Sequence, residues 1–138
     1  MGDGVVTPKK RGTRFEYRVA YIFQRFGYSW DRSGSSLGID LKITKKGRLC
    51  YLVSCKKTSS SAVIYIPKEE IKMLRRASME TGAEGLVCFG FYRSPVLTVN
   101  VRDAKSLEGT EKYYRLHPEI GCPLEGLLKR RAQKGADI

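Results

Sequence analysis

The stretch from residue 34 to residue 56 carries side chains that could hold a divalent metal and a phosphodiester between them. A loop of small residues leads into a short alternating strand with Asp40. A basic turn follows, and then a longer apolar strand that ends at Lys56. A lysine at the buried end of an apolar strand needs an acidic partner, and Asp40 on the neighbouring strand is the natural one. The pattern is therefore typical of a nuclease site, because a carboxylate binds the hard cation and an ammonium group faces the phosphate.

The elements that must position these side chains follow from hydrophobic periodicity. A helix is predicted over 12–27, because its phenylalanine, valine and isoleucine residues recur at helical spacing. A second helix is predicted to begin at Pro67 and to end at Gly82. Strands are expected at 28–32, 39–44, 49–56, 62–66, 85–91 and 95–101, and a short basic helix at 124–132. This order predicts an α/β or α+β domain with a mixed central sheet flanked by helices.

Composition favours an anionic partner. The chain has 138 residues, of which 26 are lysine or arginine and 14 aspartate or glutamate, for a net charge of +12. An excess of this size favours nucleic acid. We expect residues 1–11 to form a flexible basic arm and residues 12–138 a single domain. No apolar stretch is long enough for a membrane span or a signal peptide, so a cytoplasmic location without membrane partners is expected.

The four cysteines give no metal-binding pattern. Cys50, Cys55, Cys88 and Cys122 form no CxxC pair and have no histidine partners at zinc spacing. We expect them to be small buried thiols in a reducing compartment.

Four runs carry a family resemblance: RGTRFEYRVAYIFQRFGY, DRSGSSLGIDLKI, YLVSCKK and IYIPKEEIKML. Over about Lys10 to Val101, their order and spacing resemble the archaeal Holliday junction resolvases, members of the restriction-endonuclease-like PD-(D/E)xK superfamily. The resemblance implies a restriction-endonuclease-like fold and a nuclease, dependent on Mg²⁺ or Mn²⁺, that resolves four-way DNA junctions in recombination and repair. It also implies a homodimer that holds the junction on a basic face.

The resemblance assigns roles residue by residue. Glu16 matches the acid of the first helix, Asp40 the central metal-binding aspartate and Lys56 the catalytic lysine. Ser35 or Ser36 falls where the family has a serine that assists catalysis. The basic and small residues expected to contact DNA are Lys9, Lys10, Arg11, Arg14, Arg32, Ser33, Ser36 and Lys57.

Ser54 is where this chain departs from the family, which has a glutamate two residues before the lysine. Serine cannot supply a charged metal ligand, so the strand pair offers one carboxylate instead of two. One hypothesis is that the acid has moved to the following helix, as in some restriction enzymes of the superfamily. Glu70 is then the candidate, with Glu69 beside it, and Asp40 and Glu70 hold the metal with the help of Glu16. In this hypothesis Ser54 contacts phosphate or metal-bound water.

The departure at Ser54 is compatible with two further hypotheses. The chain could be a paralogue that has lost catalysis and binds junctions or other DNA. It could instead cleave RNA without metal by general acid–base chemistry through His117, the sole histidine, with Tyr113 and Tyr114 close by in sequence.

Overall fold

A computed structural model describes the backbone of residues 8–33 and 38–136, with side chains over 13–33 and 38–134. Ser35 and Ser36 lie outside the described residues, as do the first seven residues. The side chains of Lys9, Lys10 and Arg11 are likewise outside the described part.

The described part of the chain contains three α-helices, one 3₁₀ helix and eight strands. In chain order they are α1 (Pro8–Arg25), β1 (Ser29–Arg32), β2 (Leu41–Lys45), β3 (Arg48–Lys57), β4 (Ile64–Pro67), α2 (Lys68–Thr81), β5 (Glu84–Gly90), β6 (Leu97–Asn100), a 3₁₀ helix (Val101–Ser106), β7 (Tyr113–Leu116), β8 (Cys122–Pro123) and α3 (Leu124–Ala136). No described helix is long and apolar enough to cross a membrane.

Six of the strands form one mixed sheet in the order β1-β2-β3-β5-β6-β8. The β3–β5 pair is parallel, and its crossover contains α2. The other neighbours are antiparallel. The predicted α/β fold with a mixed central sheet and flanking helices is therefore confirmed.

The two faces of the sheet bury two separate cores. On one face α1 and α3 pack against the sheet, with Phe23, Val53 and Leu128 fully or almost fully buried. On the other face α2 covers Leu52 and Val87. Because successive side chains of a strand point to opposite faces, Ser54 and Lys56 follow Leu52 toward α2. This alternation decides which helix can complete a site at the end of β3.

The start of α1 corrects one prediction. The helix begins at Pro8, so residues 8–11 are helical and do not belong to a flexible arm. Proline favours the first helical position, because its fixed φ suits the helix and its missing N–H would have no partner there. The periodicity misses this start because the first turns carry no apolar stripe.

One predicted strand does not join the main sheet. Strands β1, β2 and β3 pair in chain order, whereas β4 pairs with β7, a strand that the periodicity did not predict. The strand expected over 95–101 is shortened to Leu97–Asn100. The Asn100 side chain accepts a hydrogen bond from the Arg102 N–H and caps the 3₁₀ helix that follows.

The cysteines lie in or beside the sheet, and all four are free thiols. Burial raises the pKa of Cys88 to about 12 and holds the pKa of Cys55 well above its ordinary value. Both side chains are therefore neutral at physiological pH. The expectation that all four thiols are buried is wrong in part, because only Cys88 is buried and the other three are partly buried.

Candidate active site

Asp40 is fixed to the end of β3 by two hydrogen bonds. Its backbone N–H donates to the Val53 carbonyl at 2.8 Å. Its carboxylate Oδ2 accepts from the Cys55 N–H at 2.6 Å. The aspartate therefore sits just before β2, opposite the segment of β3 that contains Ser54 and Lys56. The prediction that Asp40 is the acidic partner of Lys56 is wrong, because the ion pair described for Lys56 is with Glu70.

The carboxyl group of Asp40 lies in a negative field. Burial raises its pKa above the ordinary value, although the hydrogen bond from Cys55 opposes this effect. The charges of Glu16 and Glu70 raise the pKa further, whereas the charge of Lys56 lowers it. Three carboxylates thus act on one region, and a bound cation would relieve their mutual repulsion.

Glu70 reaches the position at which the strand lacks an acid. Ser54 is completely buried, and its Oγ donates a hydrogen bond to Glu70 Oε1 at 3.2 Å. The Lys56 Nζ lies 2.9 Å from the same oxygen. The side chains of Lys56 and Glu70 are 30% and 16% exposed, so the ion pair lies at the rim of the core.

The placement of Glu70 follows from how α2 begins. Pro67, with a φ of −58°, precedes the helix, and Glu70 lies in its first turn. The next residue, Ile71, is buried and fixes the rotation of this turn against the sheet. Glu69 is exposed, so of the two candidate acids it is Glu70 that contacts Ser54 and Lys56.

Gly38 packs closely against the side chain of Glu70. It has a φ of +81°, and a Cβ at this position would lie 2.7 Å from Glu70 Cγ and 2.8 Å from Oε1. Both values are far inside van der Waals contact. The chain before Asp40 therefore approaches the glutamate closely, and the fit depends on a residue without a side chain.

Substitution of Gly38 is expected to displace Glu70. We predict that Gly38→Ala lowers the metal-dependent DNA cleavage expected from the sequence at least about tenfold, since displacement of about an ångström at a reacting site has effects of this size or larger. Gly47→Ala is the matched control, because Gly47 has a φ of +77° and a Cβ added there would have nothing within 4 Å. Both substitutions impose similar backbone strain. Equal cleavage rates of the two variants would contradict the packing role of Gly38.

Glu16 and Arg32 form an ion pair beside these residues. The Arg32 Nε and Nη2 atoms lie 3.0 and 2.7 Å from Glu16 Oε2. The hydrogen bond to Glu16 raises the pKa of Arg32. A predicted metal ligand and a predicted phosphate ligand are thus partners of each other, and no sequence pattern indicated the pair.

Metal ligands are not gathered into one tight cluster. Within the described part of the chain, no three side chains of aspartate, glutamate, cysteine or histidine are placed to hold one ion together. The expected set of Asp40, Glu70 and Glu16 is therefore not assembled as a group of three in this structure. Glu16 is held by Arg32, and Glu70 is held by Lys56.

This geometry agrees with a family relationship that spans nearly the whole chain. The family model for the archaeal Holliday junction resolvase (Hjc) matches residues 7–136. The chain belongs to this family.

Two proteins similar to this Hjc-family chain show how far the similarity in sequence and in fold extends. The crossover junction endodeoxyribonuclease Hjc of Methanocaldococcus jannaschii is 35% identical over 65 residues. This alignment covers 47% of each protein, so the chain matches about half the length of that curated relative. The solved structure of Archaeoglobus fulgidus Hjc, a Holliday junction resolvase from an archaeal hyperthermophile, superposes with a TM-score of 0.72. At 20% identity, covering 86% of this chain and 96% of that one, it shows a shared fold.

The remaining predicted contact residues of this Hjc-family chain lie around the site. The Ser33 N–H donates to the Asp40 carbonyl at 2.8 Å, which ties the end of β1 to the aspartate. Arg14 on α1 and Lys57 at the end of β3 are exposed. Both side chains are accessible to a phosphate backbone, and their contact with DNA stays a prediction.

His117 and its neighbours have partners of their own. The His117 Nε2 atom lies 3.9 Å from Glu108 Oε2. The Tyr113 ring packs edge-on against Tyr65, and the Lys68 Nζ lies 5.1 Å from the centre of the Tyr114 ring. The three side chains therefore contact separate partners. Among the described contacts, none joins His117 to a tyrosine as the acid–base pair that the RNA-cleavage hypothesis requires.

Proposed function

We propose that this chain is a metal-dependent endonuclease that resolves four-way DNA junctions in recombination and repair, and that Glu70 replaces the acid missing at Ser54. The observation that carries the proposal is the position of Glu70 Oε1, 3.2 Å from Ser54 Oγ and 2.9 Å from Lys56 Nζ. An acid two residues before the lysine would project from β3 toward α2. Glu70 brings a carboxylate to that place from the opposite direction.

The donor set fits a hard divalent cation, Mg²⁺ or Mn²⁺. Asp40 and Glu70 would hold it, and Mg²⁺ is commonly bound through one or two carboxylates, with water and phosphate oxygens completing its shell. The raised pKa of Asp40 supports this assignment, since the charges of Glu16 and Glu70 add to the effect of burial. When bound, such an ion activates water and offsets charge on the phosphate.

The protein side chains have roles that follow from their contacts. Ser54 orients Glu70 through its hydroxyl group, and Asp40 is oriented by the Cys55 N–H. Lys56 neutralises Glu70 in the free protein. Near a bound phosphodiester, its ammonium group would stabilise the charge that develops on the phosphate oxygens. Each side chain is thus held in place before the substrate arrives.

The proposed partner is DNA, with four-way junctions as the preferred form, bound by a homodimer. The net charge of +12 supports a polyanionic ligand. A two-fold dimer would present two equivalent sites to a junction with pairs of equivalent strands.

A cleavage assay on a synthetic four-way junction tests the proposal. We expect the full chain to cut the junction with Mg²⁺ or Mn²⁺ and to lose activity in EDTA, because the two carboxylates need the cation to act on the phosphate. Linear duplexes of the same arm sequences should be cut much more slowly. Cutting that persists in EDTA and depends on His117 would contradict the proposal.

A second candidate function is junction binding without cleavage. It is favoured by the fact that Glu70 and Glu16 already have cationic partners in the described structure, so both carboxylates are satisfied without metal. A protein that binds junctions but does not cut them with either metal, and that gains activity on Ser54→Glu, would fit this alternative.

A further inference from the structure

An exposed aromatic cluster lies beside the candidate active site. On α1, Tyr17 and Tyr21 are one turn apart, and their rings stack with centroids 6.1 Å apart. Trp30 on β1 packs edge-on against both, with centroids at 5.7 and 5.8 Å. The indole N–H donates to Gln24 Oε1 at 2.8 Å and fixes the ring. We call these three rings the aromatic cluster.

The cluster is accessible where a ligand could stack on it. Tyr21 is 52% exposed, although aromatic side chains of this size are normally more deeply buried. Tyr17 and Trp30 are partly buried and pack against it. The T-shaped contacts hold the tryptophan approximately perpendicular to the tyrosines, at 77° and 82°. The cluster is therefore a well-packed surface with one outward ring.

Arg32 joins the cluster to the proposed site. Its guanidinium carbon lies 5.2 Å from the centre of the Tyr17 ring, and its nitrogens bind Glu16. The next residue along the chain, Ser33, donates its N–H to the Asp40 carbonyl at 2.8 Å, so the two regions adjoin. A ligand that occupies the site is thus near the cluster as well.

The charges around the cluster favour an anionic ligand. Arg14 and Arg18 are both exposed on α1, and both precede Tyr21 within two turns. The acids close by are Glu16, which Arg32 neutralises, Glu125, which pairs with Arg25, and the exposed Asp31 on β1. An aromatic surface with arginines on its rim is the arrangement that binds unpaired nucleotides, because bases stack on the rings while phosphates meet the cations.

We propose that the aromatic cluster stacks on bases that become unpaired at the branch point of the junction. This inference rests on the proposed function and adds a source of structure selectivity. In a linear duplex the bases are stacked on each other and cannot reach a protein ring, whereas a branch point exposes base faces. Stacking is tolerant of sequence, since every base has a π-face. The cluster would thus recognise the shape of the substrate and not its sequence.

Binding measurements with Tyr21→Ala test this role. We expect at least about fivefold weaker binding to a four-way junction, the lower range for loss of one base stack, and less than about twofold change for linear duplex. Tyr65→Ala is the matched control, because Tyr65 is 53% exposed and contacts Tyr113 on the other sheet. Tyr21→Leu keeps the apolar packing without the aromatic face, so it should show the same loss of junction binding and keeps the test valid if the alanine variant folds poorly.

The chain contains one tryptophan, which gives a direct optical readout. Trp30 fluorescence should be quenched when the junction binds and should change much less with duplex at equal saturation. If the wild-type protein prefers the junction but Tyr21→Leu binds it unchanged and Trp30 fluorescence stays constant, the stacking role is overturned while the proposed function stands. A protein with no junction preference overturns both. Conversion of a dimer to monomers by Tyr21→Leu in sedimentation would identify the cluster as a subunit interface and overturn the inference.

Discussion

Glu70→Gln is expected to reduce junction cleavage by about a hundredfold or more while junction affinity changes less than about threefold, since loss of one positioned electrostatic contact in a transition state typically has an effect of this size. The substitution keeps the size of the side chain and an oxygen that can accept the hydrogen bond from Ser54, which is 3.2 Å long in the native protein. It removes the charge that would bind the cation and that now pairs with Lys56 at 2.9 Å. Rates of cleavage and affinities measured on the same synthetic junction check both expectations.

Glu69→Gln provides the control for this substitution. Glu69 precedes Glu70 in the same first turn of α2 and carries the same charge, but it is exposed. Both variants change the net charge and the helix dipole interaction to a similar extent, so cleavage by Glu69→Gln should stay within about twofold of the wild type. If the two variants lose activity to the same extent, the specific role of Glu70 is wrong.

Asp40→Asn is expected to abolish metal-dependent cleavage and to raise the melting temperature of the metal-free protein. Its amide oxygen can still accept the Cys55 N–H, so the local hydrogen bonding is retained. Burial and the charges of Glu16 and Glu70 raise the pKa of Asp40, which means that its ionised form is disfavoured in the folded state. A neutral side chain removes this penalty, as at other sites where function reduces stability.

The pH dependence of this stabilisation has a defined sign. Because the pKa of Asp40 is raised in the folded protein, the native state binds more protons than the unfolded state between the two pKa values. The contribution of Asp40 to the free energy of unfolding of the wild type therefore decreases as pH rises from the unfolded pKa through the folded pKa. The difference in melting temperature between Asp40→Asn and wild type should reach its maximum at neutral pH. It should vanish below the unfolded pKa of aspartate, about 3.9.

Thermal unfolding at several pH values, without and with Mg²⁺, measures these effects. Asp31→Asn, at an exposed position on β1, serves as the control and should change the melting temperature little at any pH. Mg²⁺ should stabilise the wild type and not Asp40→Asn, because a ligand that binds the native state raises stability. A lower melting temperature for metal-free Asp40→Asn would contradict the electrostatic role assigned to this site.

The parts of the site that lie on regular elements with clear periodicity are predictable from the sequence. Alternation places Asp40 and Lys56 at adjacent strands, and the proline before α2 places Glu70 in the first turn of that helix. The sequence does not decide between Glu69 and Glu70. That choice requires the rotation of α2 on the sheet, which the burial of Ile71 decides in three dimensions.

Other features depend on long-range contacts that a pattern does not encode. The Glu16–Arg32 pair joins α1 to β1 through long side chains, and either residue alone could have faced a ligand. Strand β4 has the same apolar character as a strand of the main sheet, yet it pairs with β7. Apolar alternation indicates that a strand is buried but does not identify its partner. For Gly38, the sequence indicates only a loop and not the contact with Glu70.

The affinity of the metal-free protein for Mn²⁺, measured by electron paramagnetic resonance, tests most directly whether α2 supplies the second carboxylate. Wild type, Glu69→Gln and Glu70→Gln should be titrated under the same conditions. We predict that Glu69→Gln binds Mn²⁺ like the wild type and that Glu70→Gln binds it at least about tenfold more weakly. Loss of a residue that only hydrogen-bonds to a metal ligand lowers metal affinity about tenfold or more, and loss of the ligand itself should lower it at least as much. Equal Mn²⁺ affinity for Glu70→Gln and wild type would contradict the assignment of Glu70 as a metal ligand.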